Sequence, residues 1–289
     1  MPELPEVETV RRDLSEAALN KKIKEVKILS RKTIKNQPAD FLRFLNSAKF
    51  IGIDRVGKLL IFNLSDKKHF LLLHLKMTGQ LIYSSGGKII AGGHSLNGKD
   101  IVGHGLPGKA TRFYLIFSDG GRLFFNDQRN FGYAKIVDSA ELAQIKATYG
   151  IEPLTANFTL KSFAAIFSKR AKNIKALLLD QNLVAGIGNI YADEVLFAAG
   201  VAPQRRADSL TSAEIKKLFT GLKTILSKAI KYRGTTFSNY VDGYGHRGGF
   251  SRFLQVYGRG GEKCYKCGTI LKKVKIAGRG TVYCEKCQK

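Results

Sequence analysis

Apolar and polar positions recur along this chain with two different periods, and the change from one to the other divides it. Near the N-terminus Val7, Val10, Leu14 and Ala17 fall at helical spacing, with Arg11, Arg12 and Glu16 off that stripe, and predict a first helix. Runs rich in Ile, Leu and Phe follow at 23–28, 50–56, 59–64, 70–75, 112–117, 122–126 and 133–137, separated by short polar turns such as 65–68 and 118–121. These read as strands. Consecutive strands with no helices between them pair antiparallel, so the first half is a sandwich or barrel rather than a parallel sheet. The Gly-rich stretch 84–109 carries little pattern and reads as a surface insertion. Beyond Gly150 the period becomes helical, at 160–169, 174–181, 190–199 and 213–232, with Pro153 and residues 155–157 as the linker. A second Gly-rich loop, 233–250, precedes a short two-stranded ending. The fold class is α+β.

Charge narrows the partners. The chain of 289 residues carries a net charge of +25, an excess suited to a polyanion whose neutralised phosphates release counterions. No basic amphipathic helix with aromatic anchors points to a membrane surface. No apolar run is long enough to span a bilayer, and no signal-peptide core opens the chain, so a cytosolic protein is expected.

All four cysteines lie beyond Lys263. Cys264-x2-Cys267 and Cys284-x2-Cys287 have the spacing of a four-thiolate zinc ribbon, and four sulfur ligands leave no open coordination position. One structural Zn2+ is expected. Between the pairs, Arg279 stands between Gly278 and Gly280, a setting for a tight turn that presents a guanidinium to a phosphate.

The N-terminus reads MPELPEVETV. Removal of Met1 would leave Pro2 with the free amine, and an α-amino group has a reference pKa of ~7.7–8.0 against ~10.4 for lysine. Such an amine is a ready nucleophile toward a sugar carbon at neutral pH. Glu3 and Glu6 lie within one helical turn and can face the same site. The same residues also suit a helix start, with Pro5 in the first turn and acidic side chains complementing the dipole. The two roles are compatible.

Four further stretches bear on function. Residues 180–194 (DQNLVAGIGNIYADE) join two helices. Their Gly-x-Gly lacks both the preceding strand and the third glycine of a dinucleotide loop, so a helix–turn–helix presenting amides and Asn189 to phosphates fits better. Lys58 follows Gly57 at a strand start. Met77 lies in His74-Leu75-Lys76-Met77-Thr78-Gly79, and Arg129 and Phe131 lie in Asn126-Asp127-Gln128-Arg129-Asn130-Phe131-Gly132. By type alone Met77 and Phe131 would be core residues.

Taken together, the N-terminal MPELPEVETVRR, Lys58, these two loops, the 180–194 segment and the cysteine ribbon resemble the formamidopyrimidine-DNA glycosylase family of bacterial base-excision repair enzymes. The resemblance covers most of the chain apart from 84–109. It implies an N-terminal antiparallel β-sandwich with an N-terminal helix (1–150), a helix–two-turn–helix domain (151–258) and a C-terminal zinc finger (259–289). It implies removal of oxidised purines from double-stranded DNA and abasic-site lyase activity, by a monomer in the bacterial cytosol. Pro2 would attack C1′, Glu3 would act as general acid, Glu6 would position the amine, Lys58 would donate a proton, and Arg279 would hold a phosphate and assist δ-elimination. Met77, Arg129 and Phe131 would fill the gap left by the flipped nucleotide, with Asn189 and Arg170 on phosphates. The endonuclease VIII branch, acting on oxidised pyrimidines, shares the proline, both glutamates and the ribbon. Leu4 and the 129–132 segment favour the purine branch. A non-catalytic zinc-ribbon DNA-binding protein would be expected to have lost Pro2 or Glu3.

The chain departs from the family pattern at Asn130, where a second basic residue is common, at Gln128, where proline is common, and at Ala110-Thr111-Arg112, where His-x-His is usual.

Overall fold

The computed structural model describes residues 1–86, 88–94, 105–168, 170–236, 240–241 and 248–289, and the chain forms two compact units. Met1–Ala147 and Tyr232–Gly249 make the first; Thr148–Lys231 and Phe250–Lys289 make the second.

The first unit is built on helix α1 (Leu4–Ala18) and two antiparallel sheets. Strands β1 (Ile23–Ile28), β5 (Gly79–Ser85), β6 (Lys88–His94), β7 (Thr111–Phe117), β8 (Arg122–Asp127) and β10 (Tyr240–Val241) form one sheet in the order β1-β7-β8-β5-β6-β10. Strands β2 (Phe50–Val56), β3 (Leu59–Leu64), β4 (His69–His74) and β9 (Tyr133–Asp138) form the other, in the order β2-β3-β4-β9. Alternation sets the faces: along β7, Phe113, Leu115 and Phe117 point inward. They share one core with Leu60, Phe62, Leu71 and Leu73 of the second sheet and with Val7, Val10 and Leu14 of α1. This is a sandwich with a helix packed into it. Short helices α2 (Pro38–Leu45) and α3 (Ser139–Ala147) complete the unit.

Part of the stretch expected as a surface insertion, residues 84–85 and 88–94, is sheet. β5 runs to Ser85 and pairs with β6, whose Gly92 lies under α1. A Cβ on Gly92 would stand 2.4 Å from Val10 Cγ2, so the close approach of helix to strand requires glycine there. Residues 95–104 of that stretch, and 237–239 and 242–247 of the second Gly-rich loop, lie outside the described residues.

The second unit holds α4 (Leu160–Ala165), α5 (Ile174–Leu179), α6 (Asn189–Ala199), α7 (Ser212–Lys231) and the hairpin β11 (Lys272–Ile276) and β12 (Arg279–Tyr283). The turn between α5 and α6 is braced by one side chain. Gln181 Nε2 donates to the carbonyls of Leu179 and Ile187 at 2.9 and 2.8 Å, and its Oε1 accepts from Gly186 N at 2.9 Å. Glu194, buried in α6, accepts from the backbone N–H groups of Gln255, Val256 and Tyr257, which fastens the segment leading into the ribbon.

Candidate active site

Pro2, Glu3 and Glu6 are all buried at the head of α1. Glu3 N donates to Glu6 Oε2 at 2.9 Å and the pair forms a capping box, so the carboxylates also serve the helix start. Glu6 Oε1 accepts from Thr235 N at 2.7 Å. Two residues earlier, Arg233 Nη2 meets both oxygens of the buried Asp13, at 2.8 and 2.6 Å. The 233–235 segment is therefore fixed along α1 at two points, and Glu6 has each oxygen facing a backbone N–H.

Glu8 carries the linkage onward. Its carboxylate accepts from Arg11, Arg12 and, at 3.2 Å, Arg55 Nε. Burial alone would raise its pKa, but the guanidinium bonds of Arg11 and Arg12 and the charge of Arg55 hold it at about 2. Arg55 Nη1 in turn donates to Gly57 O at 2.8 Å, in the turn that presents the buried Lys58. Gly57 sits at φ +55, a left-handed conformation that favours glycine. Beside the start of β3, His74 pairs with Leu59. Burial first, then the charges of Lys76 and Lys58, push its pKa down to about 3. The neutral ring accepts Lys76 N–H on Nδ1 at 2.9 Å.

Met77, Arg129 and Phe131 come together at one end of the sandwich. Met77 is 41% exposed and Phe131 50% exposed, so neither is the core residue its type suggests. The Arg129 guanidinium lies 4.5 Å from the Phe131 ring centroid, and its Nη1 is 3.7 Å from Met77 Sδ. Ala110 is buried, its carbonyl accepting from Asp127 N, and Arg112 Nε donates to Asp127 O at 2.6 Å.

In the second unit, Asn189 is the first residue of α6. Its Nδ2 donates to Gly280 O at 2.8 Å, while its buried Oδ1 accepts no hydrogen bond among the described residues. Arg279 is exposed and opens β12 directly after a turn made by Ala277 (φ 51) and Gly278 (φ 72). Two successive left-handed residues make the tight hairpin turn whose twist suits the strands. Gly280, expected as part of that turn, instead pairs in the hairpin and turns its carbonyl toward Asn189 and Lys175. Lys175 is fully buried: its Nζ meets Asp193 Oδ1 at 2.6 Å, Thr281 Oγ1 at 2.7 Å and Gly280 O at 3.4 Å. Asp193 Oδ2 accepts from Val282 N at 3.1 Å. A buried ion pair thus clamps the strand carrying Arg279 onto α5 and α6. Arg170 is exposed beyond α4, and its carbonyl accepts from Asp208 N.

The four cysteine Sγ atoms all lie within 4.8 Å of one another. A tetrahedron with Zn–S bonds of ~2.3 Å has edges of about 3.8 Å, and the pairs Cys264–Cys287 and Cys267–Cys284 are 4.0 and 3.4 Å apart. The donor set fits one structural zinc with no open position. Gln288 ties the ribbon down, accepting from Cys284 N and donating to Val201 O, both at 2.9 Å.

Three family models match the chain in order. They are the formamidopyrimidine-DNA glycosylase N-terminal domain over residues 1–134, its H2TH domain over 149–241, and a zinc finger found in the same family and in isoleucyl-tRNA synthetase over 261–289. The formamidopyrimidine-DNA glycosylase of Desulfitobacterium hafniense is 41% identical over 291 residues, covering all of both chains. That of Lactobacillus gasseri is 39% identical, covering all of this chain and 99% of its own.

The chain belongs to the formamidopyrimidine-DNA glycosylase family.

Solved structures of the Lactococcus lactis glycosylase share its fold. A complex of a point variant of that enzyme with Fapy-dG DNA superposes with a TM-score of 0.87 at 34% identity over all of both chains. A complex with abasic-site DNA gives 0.87 at 35% identity, over 99% of each chain. A third, of the wild-type L. lactis protein with DNA containing an oxidised pyrimidine, gives 0.86 at 34% identity, over all of both chains. In this glycosylase-family chain the polar residues that sequence reasoning passed over are Asp127, Lys175, Asp193 and Thr235. The one local signal was Lys175 itself, a lysine set in the apolar run Ile174–Leu179.

Proposed function

We propose that the chain excises oxidised purines from duplex DNA and cuts the strand at the abasic site through an iminium on the Pro2 nitrogen. The observation that carries this reading is the buried Glu3–Glu6 pair at the head of α1, beside a proline whose nitrogen becomes a secondary amine once Met1 is removed. Family membership and the lesion-bearing DNA held by its solved relatives support the substrate.

The nitrogen attacks C1′ and the C1′–base bond breaks, the base leaving with the bonding pair and taking up the proton that the attacking amine gives up. Glu3 protonates O4′, the ring opens, and the nitrogen lone pair completes the iminium. Glu6, accepting two backbone N–H groups, orients the helix start and balances the cationic nitrogen. Loss of the acidified C2′ proton then expels the 3′ phosphate, and Lys58 supplies a proton to the departing group. Arg279 holds a phosphate beside the lesion and assists the second elimination at C5′. Asn189 and Arg170 add phosphate contacts, and Met77, Arg129 and Phe131 occupy the space the flipped nucleotide leaves. The zinc fixes the hairpin that carries Arg279 and takes no part in the chemistry. The protein acts as a monomer in the bacterial cytosol.

Strand scission on duplexes carrying 8-oxoguanine opposite cytosine or an oxidised pyrimidine opposite guanine tests the substrate class. Faster scission at the purine is expected. The L. lactis complex with an oxidised pyrimidine makes the second duplex a necessary arm, and faster scission there would reassign the substrate class.

A further inference from the structure

Asp127 is fully buried, and its carboxylate is bonded to the two loop crossings that carry the exposed Met77, Arg129 and Phe131. Oδ1 accepts from the Thr78 hydroxyl and from Arg129 N at 3.2 Å; Oδ2 accepts from Gly132 N at 2.6 Å. The main chain is fixed as well, its N–H on Ala110 O at 2.8 Å and its carbonyl on Arg112 Nε.

The two loops are neighbours for a topological reason. Residues 75–78 cross from β4 in the four-stranded sheet to β5 in the six-stranded one, and residues 128–132 cross back from β8 to β9. β4 pairs with β9, and β5 with β8, with Gly79 opposite Asp127. The crossings therefore run side by side and close one end of the sandwich. Met77 projects from the first, and Arg129 and Phe131 from the second. Each crossing contains strained backbone, at Lys76 (φ 49) and Asn130 (φ 55). Gly132 lets the chain approach the carboxylate: a Cβ there would lie 2.9 Å from His74 O and 3.0 Å from Asp127 Oδ2.

We infer that Asp127 is the positioning residue for the Met77–Arg129–Phe131 wedge, its single carboxylate holding both loop crossings in the shape that enters the duplex when a lesion is flipped out. This rests on the reading of those three side chains as the wedge. A carboxylate suits the task because it is acceptor-only, and here it receives one hydroxyl and two backbone N–H groups. An amide in its place would point N–H at Gly132 N in one orientation and at Arg129 N in the other, where Arg129 N would keep only the Thr78 hydroxyl oxygen at 3.2 Å. Wedge placement matters only where bases must be unstacked, so the effect of Asp127 is confined to duplex substrate.

The test uses the full zinc-loaded protein and measures base excision from an 8-oxoguanine duplex beside scission of an abasic site in a single strand, which has no partner strand to invade. For Asp127→Asn, duplex excision is expected to fall about ten-fold or more, as at least one buried bond to a loop crossing is lost, with single-strand scission within about two-fold of wild type. A folded Asp127→Asn protein that loses both activities equally, or neither, overturns the proposal. Should that variant fail to fold, Thr78→Val leaves the carboxylate in place and removes the hydroxyl that donates to it and accepts from Arg129 N at 3.2 Å. Its expected result is the same selective loss of duplex excision, and unchanged duplex excision overturns the proposal. The triple variant Met77→Ala/Arg129→Ala/Phe131→Ala separates the two ideas: unchanged duplex excision there refutes the wedge itself, whereas a loss there without one in Asp127→Asn refutes only the role of Asp127.

Discussion

Replacing Lys175 with methionine removes one member of a fully buried ion pair and leaves the other. The methionine fills most of the space of the lysine stem, so the main loss is electrostatic. Asp193 would keep only the Val282 N–H at 3.1 Å, in a site where neither partner's side chain is exposed. Burial already pushes Asp193 up to about 6 against the pull of Lys175, so without the ammonium the carboxyl takes up a proton on folding. Taking a carboxyl of reference pKa ~3.9 to its neutral form at pH 7 costs about 4 kcal/mol, of which the wild type, with Asp193 at about 6, already bears about 3, so the deficit relative to wild type is about 1.4 kcal/mol at pH 7. The sign gives a second check. The folded variant would hold one proton more than its unfolded chain above the reference pKa, so its stability falls as pH rises. Relative to wild type the deficit grows by about 1.4 kcal/mol per unit above pH 6, until the carboxyl ionises in the folded state. Urea unfolding followed by zinc release, at pH 6 and pH 7, reads this directly, because the ribbon and the ion pair share β12. The double variant Lys175→Met/Asp193→Asn should recover most of the loss and the pH dependence. A deficit at pH 7 no larger than that at pH 6 would refute the reasoning.

Glu6→Gln cannot satisfy both the Glu3 and Thr235 N–H groups whichever way its amide is turned, so it should cost about 1–3 kcal/mol of stability and at least about ten-fold in excision rate. Thermal unfolding and single-turnover excision measure the two separately. Acid should destabilise the first unit, because His74 at about 3 and Glu8 at about 2 are both depressed on folding. Their contribution is complete above about pH 6.5 and is lost with falling pH, His74 first and Glu8 below about pH 4.5, at up to about 1.4 kcal/mol per unit for each group. His74→Gln should flatten the loss of melting temperature between pH 6 and 5. Metal analysis should give one zinc per chain, and a strong chelator or Cys267→Ser should lower duplex affinity by disordering the Arg279 hairpin.

The strands of the first unit were legible because most alternate or run apolar for about their whole length, as at Ile23–Ile28 and Leu59–Leu64. β5 and β6 were not: the apolar run of β5 is only Leu81–Tyr83, and the glycines of β6 read as loop although a close helix demands one of them, Gly92 under Val10. The eight-residue α2 gave too short a period to register, burying only Phe41 and Leu45. The cysteine ribbon was fully legible, since its spacing is itself the chemistry. By type Met77 and Phe131 read as core, and only the resemblance gave them another role, in the gap of a flipped nucleotide; the structure exposes both. Asp127 and Lys175 were opaque for a common reason. A buried charge is recognised by its partners, and Thr78 and Thr281 lie 49 and 106 residues from them in sequence.

The central claim is a covalent one, that the N-terminal proline nitrogen carries the reaction. Borohydride reduction during turnover on an 8-oxoguanine duplex, followed by peptide mapping of the trapped adduct, tests it most directly. The expected result is a single DNA adduct on the peptide beginning at Pro2, with Met1 absent by intact mass, and no adduct from Glu3→Gln. An adduct mapped to a lysine such as Lys58, or strand scission without any adduct from a chain shown to begin at Pro2, would contradict it.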